Sequence, residues 1–150
     1  MRALVFELRT DTLDDGLVVA LDQHASRLAS RDGLPIDVRG PERRLALSRR
    51  AESELFGIGR EALTNVLKHA DATIAHVRIE RRARRVLVEI RDDGRGFDPA
   101  VSHPNHYGIE SMRSRAAEIG GLLTITSVPG RGTVVRVEAP ADPEGAWDGD

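Results

Sequence analysis

The spacing of apolar residues predicts a chain in which helices alternate with short strands. Apolar positions recur every three or four residues in some segments and every second residue in others, as expected for amphipathic helices and half-buried strands. The predicted helices are the last turns of one at Met1–Arg9, then Thr12–Ser30, Ser48–Ala70 and Gly108–Ile119; the predicted strands are Pro35–Gly40, Thr73–Glu80, Arg85–Asp92, Leu122–Val128 and Thr133–Ala139. Strands that pair mainly antiparallel, with helices gathered on one face, predict an α+β two-layer sandwich with a mixed, mostly antiparallel sheet.

Three segments have features that the periodic patterns alone do not explain. Met1–Arg9 has helical spacing but no N-cap residue, which predicts the end of a longer helix. Phe97–Tyr107 contains two prolines and no periodicity, and a loop of that length is often a functional lid. Residues 140–150 are acidic and contain glycine, so we expect a disordered tail.

Composition narrows the possible classes of function. A length of 150 residues suits one domain with a core, and a charged fraction of 31% is ordinary for a soluble protein. A net charge of -2 argues against binding nucleic acid by bulk electrostatics, and the basic run Arg78–Arg85 has no interleaved aromatics. No apolar run approaches the ~20 residues of a membrane span. The sequence therefore predicts a soluble domain without nucleic-acid or direct membrane contact.

The longest predicted helix carries a polar stripe beside its apolar face. Glu61 and Asn65 are four residues apart, and Lys68 and His69 follow one turn later. An amide oxygen there can ligate a hard cation, a carboxylate can accept a proton, and a cation can contact phosphate. A solvated helix face is the alternative interpretation of this stripe.

A second polar cluster ends a predicted strand. In the run Asp92–Gly96, Asp92 has the same phase as the apolar residues of its strand, so its carboxylate should point inward. A buried carboxylate is costly without a partner, and an exocyclic amine such as that of adenine would provide one. Gly94 and Gly96 allow positive φ angles and close backbone approach. A plain turn explains Gly94 equally well, but it does not explain the inward Asp92.

A third cluster surrounds the last helix and the last hairpin. Gly108 opens the predicted helix directly after the loop, and a helix N-terminus can hold phosphate. Thr133 has the inward phase of its strand, so its hydroxyl could join Asp92 around one ligand. An ordinary helix start and an ordinary hairpin turn are the alternatives.

In this order the clusters resemble the motifs of the Bergerat-fold ATPases, which include histidine kinases, Hsp90 chaperones and type II topoisomerases. Glu61–Ala70 is similar to the family's N box, Asp92–Gly96 to its D-x-G-x-G box, Tyr107–Ala116 to its G2 region and Gly130–Val134 to its closing glycine-threonine motif. The G2 region resembles that of sensor kinases paired with helix-turn-helix (NarL-type) response regulators. His106 stands two residues before Gly108, where the G2 box usually has glycine. The resemblance therefore does not imply which lid residues contact the phosphates.

The resemblance implies a role for each matching residue. Glu61 would be the catalytic residue that polarises the nucleophile, and Asn65 would bind Mg²⁺ bridging the phosphates of ATP. Asp92 would accept from the adenine amino group, with Thr133 beside it through water. The other implied nucleotide contacts are Lys68, His69, Gly94, Gly96, Tyr107, Gly108 and Ile109.

The resemblance also implies partners that supply the phosphoacceptor. This branch places that histidine before an aspartate, whereas the five histidines here precede Ala, Ala, Val, Pro and Tyr. We therefore expect residues 1–30 to be the end of a dimerisation and phosphotransfer helix plus a linker helix, and residues 31–139 to be the ATP-binding catalytic domain. The acceptor domain of the same kinase and a response regulator would be its partners, in the cytoplasm, alone or within a membrane-anchored sensor. An anti-sigma-factor-type serine kinase and a non-catalytic binding module of the same fold are the alternatives.

Overall fold

The computed structural model of the protein describes residues 13–98, 100 and 106–142. The predicted helix end Met1–Arg9, the greater part of the predicted lid loop and residues 143–150 lie outside this range.

The described chain forms a five-stranded sheet with three α-helices. The helices are α1 (Leu17–Asp32), α2 (Arg49–Asn65) and α3 (His106–Glu118), and α2 continues into a π-helical turn over Val66–Ala70. The strands are β1 (Ile36–Arg39), β2 (Ala75–Arg82), β3 (Arg85–Asp92), β4 (Leu122–Ser127) and β5 (Thr133–Pro140). Their order in the sheet is β1-β2-β3-β5-β4, with β1 parallel to β2 and every other pair antiparallel. The predicted α+β fold with a mixed, mostly antiparallel sheet is confirmed.

The core lies between the helices and one face of the sheet. The predicted stripe of α1 is buried, and so are the apolar residues of β2 and β3 that share the inner phase, namely Leu17, Leu21, Ala25, Leu28, Ala75, Val77, Ile79, Val86, Val88 and Ile90. Each large aliphatic side chain removed from water contributes roughly 1.5–3 kcal/mol. Apolar periodicity therefore located both the layers and the face on which they meet.

The opposite face of β3 is more buried than alternation predicts. Leu87 and Glu89 point away from the helices, yet they are 1% and 7% exposed. β3 lies in the middle of the sheet, between β2 and β5, so side chains of both neighbours cover it. Arg136 on β5 lies 3.5 Å from the Glu89 carboxylate and Arg91 lies 3.7 Å from it. Alternation of apolar and other residues along β3 therefore does not correspond to alternating burial.

Several element boundaries differ from the predicted ones. α3 begins at His106, so Gly108 lies inside its first turn instead of opening it. Glycine permits a helix start but does not force one. At the other end of the fold, β5 includes Pro140, and the amides of Ala141 and Asp142 donate to Arg84 O and Ala46 O at 2.8 and 2.9 Å. The first residues of the predicted tail are thus attached to the domain.

None of the described helices is both long enough and apolar enough to cross a bilayer.

Candidate functional site

A largely apolar pocket lies between the end of α2, the start of α3 and the inner face of β3, β5 and β4. The empty space within the pocket and at its open mouth together amounts to about 580 Å³. Its lining residues are Ala62, Asn65, Val66, His69, Ala70, Ile90, Asp92, Gly96, Phe97, Ile109, Met112, Ile125, Thr133 and Val135. An apolar pocket with a few convergent polar groups is the usual form of a small-molecule site.

The pocket brings together six of the eleven residues that the sequence predicted for the site. Asn65 and His69 come from the end of α2, Asp92 and Thr133 from facing strands, and Gly96 and Ile109 from the segments on either side of the loop. Four of these residues have polar side chains, while the remaining lining is aliphatic or aromatic, or glycine. This composition suits a flat heteroaromatic group with polar substituents.

Asp92 is the buried anion of this pocket. Its residue is 7% exposed, it pairs with Thr133 in the register of β3 and β5, and its Oδ1 accepts the Gly94 N–H at 2.8 Å. Burial raises the pKa of Asp92, and the neighbouring Asp93 adds to the rise, although backbone hydrogen bonds from Gly94 and Thr133 oppose it. An amine donor in the pocket would offset the cost of holding this carboxylate ionised.

The glycines of the loop after β3 are required by the chain's own backbone. A Cβ on Gly94 would lie 2.3 Å from Ala70 O, and one on Gly96, where φ is +63°, would lie 2.2 Å from Val128 O. The loop is also bonded on both sides, because Arg95 N–H donates to Ala70 O at 2.7 Å and Arg95 O accepts from Gly130 N–H at 2.6 Å. Gly96 has the positive φ angle that the sequence allowed, whereas Gly94 does not.

Asp93 connects this loop to the segment before β2. Its Oδ1 accepts the backbone N–H groups of Thr73 at 2.8 Å and Ile74 at 3.1 Å, and its Oδ2 accepts the Thr73 hydroxyl. The hydrogen bonds from Thr73 and Ile74 lower the pKa of Asp93. Two adjacent aspartates therefore differ in function: Asp92 faces the pocket, and Asp93 holds the loop in place.

The predicted polar stripe on α2 is divided by the π-helical turn. Asn65 ends the regular helix, and His69 on the wider turn lines the pocket. Lys68 is exposed and lies outside the pocket lining. Glu61 lines a separate polar groove on the outer side of the helices, beside Arg60 and Arg115. π-helical turns inside α-helices are frequent at functional sites.

Three further predicted residues lie outside the pocket lining. Gly94 leaves no room for a Cβ beside Ala70, Gly108 is buried within the first turn of α3, and Tyr107 is 88% exposed. Roles for these three, as for Glu61 and Lys68, remain predictions.

Ser127 is a polar residue of the site that the sequence reasoning did not single out. It ends β4, is 6% exposed, and its Oγ lies 2.8 Å from Thr133 Oγ1 and 2.8 Å from the Phe97 amide nitrogen. Its phase was a usable signal, since Leu123, Ile125 and Ser127 alternate along the inner face. The aliphatic lining from Met112 and Ile125 carries no such polar signal and looks like ordinary core.

With this geometry defined, comparison with known proteins gives a consistent family. The model of the histidine kinase-, DNA gyrase B- and HSP90-like ATPases matches residues 51–143. This range contains every one of the predicted site residues.

Curated relatives include several sensor kinases. The chain is 36% identical over 149 residues to the sensor histidine kinase LiaS of Bacillus subtilis, covering 96% of this chain and 40% of LiaS. It is 37% identical over 97 residues to the sensor protein VraS of Staphylococcus aureus, covering 65% of this chain and 28% of VraS. The chain therefore spans well under half the length of these relatives.

Solved structures support the same fold. A blue-light activated histidine kinase of Erythrobacter litoralis aligns with a TM-score of 0.71 at 24% identity, covering 83% of this chain and 42% of that one. The catalytic domain of the histidine kinase ThkA aligns with a TM-score of 0.67 at 14% identity, covering 85% of this chain and 93% of that one. At these identities the likeness shows the fold alone.

Proposed function

The chain belongs to the family of histidine kinase-, DNA gyrase B- and HSP90-like ATPases, and on that premise we propose that it is the ATP-binding catalytic domain of a sensor histidine kinase. In this proposal it binds Mg-ATP and transfers the γ-phosphoryl group to a histidine on a separate phosphotransfer helix. A response regulator then receives the phosphoryl group. The observation that carries the proposal is the buried Asp92 carboxylate facing a largely apolar pocket.

Adenine fits the composition of the pocket. Its amino group would donate to Asp92, and its faces would pack against aliphatic and aromatic side chains such as Ile90, Met112 and Phe97. Burial of the carboxylate strengthens the preference for a ligand that brings a donor, because an unpaired acceptor in this place is costly. Thr133, opposite Asp92 in the sheet, supports a second polar contact to the same edge of the base.

The donor groups of the site suit a magnesium ion that is bound jointly by the protein and the nucleotide phosphates. Within the described residues no group of three or more His, Cys, Asp or Glu side chains could hold a metal alone. A magnesium ion here would take one protein oxygen from Asn65 and complete its shell with phosphate oxygens and water, as is usual for this ion. When bound, it would neutralise charge on the phosphates. His69, next to Asn65 in the pocket, supports a further contact to the phosphate chain.

The transfer itself needs a nucleophile from elsewhere. The bond between the γ-phosphorus and the bridging oxygen breaks, a bond from an imidazole nitrogen to phosphorus forms, and ADP leaves. The imidazole proton passes to a base, and we assign that role to Glu61. Its groove is lined also by Thr64 and Ser111, and in this proposal the incoming helix would bind there.

The direct test is phosphoryl transfer in a mixture of two chains. The protein is incubated with γ-labelled ATP and a fragment carrying the phosphoacceptor helix of a related kinase. We expect label on the helix that survives base and is lost in acid, as for phosphohistidine. Without the helix, release of ADP should stay near background.

Other outcomes separate the alternatives. Label that survives acid and is lost in base would indicate a serine kinase of the same fold. Nucleotide binding without any label on the helix would favour a non-catalytic binding module. Fast hydrolysis by the chain alone would contradict the histidine-kinase proposal.

A further inference from the structure

Arg95 connects the loop that follows Asp92 with the end of the long helix α2. Its backbone N–H donates to Ala70 O and its side-chain Nε donates to His69 O, both at 2.7 Å. His69 and Ala70 are the last two residues of the π-helical turn. One residue of the loop therefore binds two consecutive carbonyls of that turn.

These carbonyls lie at a helix end that cannot satisfy them itself. The last four carbonyls of a helix have no donor within it, and they carry the negative end of the helix dipole. A guanidinium bond to such an oxygen is assisted by charge and is stronger than a bond between neutral groups. Asp71, which follows the turn, has a φ angle of +53°, in the left-handed region that costs free energy for residues other than glycine. Contacts from elsewhere, such as those of Arg95, must hold this ending in place.

The backbone of Arg95 is itself held from both sides. Its carbonyl accepts the Gly130 N–H at 2.6 Å, opposite its own bond to Ala70 O. The preceding Gly94 packs so closely that a Cβ there would lie 2.3 Å from Ala70 O. These backbone contacts do not depend on the Arg95 side chain. A substitution at this position therefore removes the bond to His69 O and leaves the loop attached.

The turn that Arg95 binds carries polar groups of the pocket. His69 lies within the turn and Asn65 directly precedes it, and both residues line the pocket. Holding His69 O restricts the backbone of His69, and with it the direction in which its side chain leaves the turn. In the proposed function, His69 and Asn65 contact the phosphates and Mg²⁺, whereas Asp92 contacts the base.

We propose that Arg95 is a positioning residue, which holds the π-helical turn so that His69 and Asn65 stay directed at the phosphate end of the nucleotide. It acts through the His69 carbonyl and not by touching the nucleotide. This inference rests on the proposed nucleotide site and adds to it a residue that acts on phosphate binding and not on base binding.

The test compares Mg-ATP with adenosine, which has the base but no phosphates. Mg-ATP is titrated calorimetrically, and adenosine affinity is obtained from its displacement of Mg-ATP, for the native chain, Arg95→Met and Arg95→Gln. Methionine keeps an unbranched side chain without a donor. The amide nitrogen of glutamine stands as many bonds from the backbone as the arginine Nε, and it donates without charge. The two variants thus lose the same charge and differ in the hydrogen bond.

The ratio of Mg-ATP affinity to adenosine affinity is the decisive quantity. In Arg95→Met it should fall about three- to tenfold, the range expected for the loss of one hydrogen bond. In Arg95→Gln it should stay within about twofold of the native ratio, because the donor is kept. Adenosine affinity should be nearly equal in all three proteins. The amides of Val66–Ala70 should also exchange with solvent faster in Arg95→Met than in Arg95→Gln.

A matched variant measures the effect of losing one positive charge. Arg131 is an exposed arginine next to Gly130, in the turn that bonds to Arg95 O, so Arg131→Met removes a charge close by. This variant should keep the native ratio. Titrations at higher salt weaken attraction between separated charges and should leave the difference between the two Arg95 variants in place. If Arg95→Met does not fold, Arg95→Ala is measured instead.

Three results would overturn the inference while leaving the proposed function standing. One is the same ratio in Arg95→Met and Arg95→Gln, which would show that the hydrogen bond has no effect. Another is an equal loss of affinity for Mg-ATP and adenosine in Arg95→Met, which would indicate a general structural effect. The third is a native ratio in Arg95→Met. If the native chain binds neither ligand, the proposed function itself fails, and this inference falls with it.

Discussion

Burial disfavours the ionised form of Asp92 in the folded protein, because it raises the pKa of that carboxyl above the ordinary value of 3.8. Well below pH 3.8 the group is neutral in both the folded and the unfolded chain, and its burial then does not lower the free energy of unfolding through ionisation. As the pH rises from there through the raised folded pKa, the cost of an ionised Asp92 grows to its full value. At neutral pH the free protein carries that cost, and a donor from the ligand offsets it.

We predict that Asp92→Asn separates stability from binding. At pH 7 the variant should unfold at the same temperature as the native protein or a few degrees higher, and the difference should shrink as the pH falls through the Asp92 pKa. ATP affinity should drop roughly ten- to a hundredfold, as for a lost hydrogen bond to a charged group. Thermal unfolding across pH and calorimetric titration measure the two effects. Unchanged ATP affinity would remove Asp92 from the site.

Two glycines of one turn give a matched test of backbone packing. Gly130 and Gly132 have φ angles of +81° and +85°, but a Cβ on Gly130 meets nothing within 4 Å, whereas one on Gly132 would lie 2.1 Å from Asp92 O. Alanine at either position costs roughly 1–2 kcal/mol for the left-handed backbone. Gly132→Ala must also displace the β3 end that carries Asp92.

We therefore predict that Gly130→Ala is mildly destabilising and keeps its nucleotide affinity. Gly132→Ala should lower the free energy of unfolding by about 2 kcal/mol more than Gly130→Ala does. It should also bind ATP at least severalfold more weakly than the native protein. Urea unfolding and titration of each variant make the comparison. Equal losses of unfolding free energy and of ATP affinity in the two variants would contradict this prediction. They would show that the positive φ angle, and not the close approach to Asp92 O, determines both effects.

At the scale of elements, two ion pairs made by the start of α2 differ in burial. Glu52 is 1% exposed and accepts from Arg44 at 3.0 Å, and Arg44 also donates to Leu13 O at 3.2 Å and Asp14 O at 2.8 Å. This pair joins α2 to the segment that leads into α1. Arg50 pairs with Glu118 of α3, but both side chains are more than half exposed.

We predict that Glu52→Ala costs roughly 3 kcal/mol of unfolding free energy, because it leaves the partly buried Arg44 without its carboxylate. Arg50→Ala should cost less than about 1 kcal/mol, as solvent already screens that pair. Chemical denaturation of both variants gives the difference. A comparable loss for the two would show that the Arg44–Glu52 pair does not stabilise the junction.

Element type and facing were predictable where local periodicity decides them. The stripe of α1 and the alternation of β2 follow directly from single-residue hydropathy. The π-helical turn could not be predicted in this way, because no residue within Val66–Ala70 indicates it. Its carbonyls are bonded by a loop distant in sequence: Ala70 O accepts from Arg95 N–H, and His69 O from Arg95 Nε, both at 2.7 Å. The burial of Leu87 likewise depends on neighbouring strands.

At the scale of the whole molecule, the site is built where elements distant in sequence meet at one end of the core. The motifs located the polar members, because inward phase placed Asp92 and Thr133 on the same face and the register then paired them. Their spacing could not show that Glu61 and Asn65 face different grooves.

The most direct test of the central claim is calorimetric titration of the native chain with Mg-ATP and Mg-GTP. The proposed site predicts saturable binding of one ATP per chain, binding of GTP at least tenfold weaker, and a loss of ATP affinity when Mg²⁺ is removed. Absence of ATP binding, or equal affinity for the two nucleotides, would contradict an adenine site formed around Asp92.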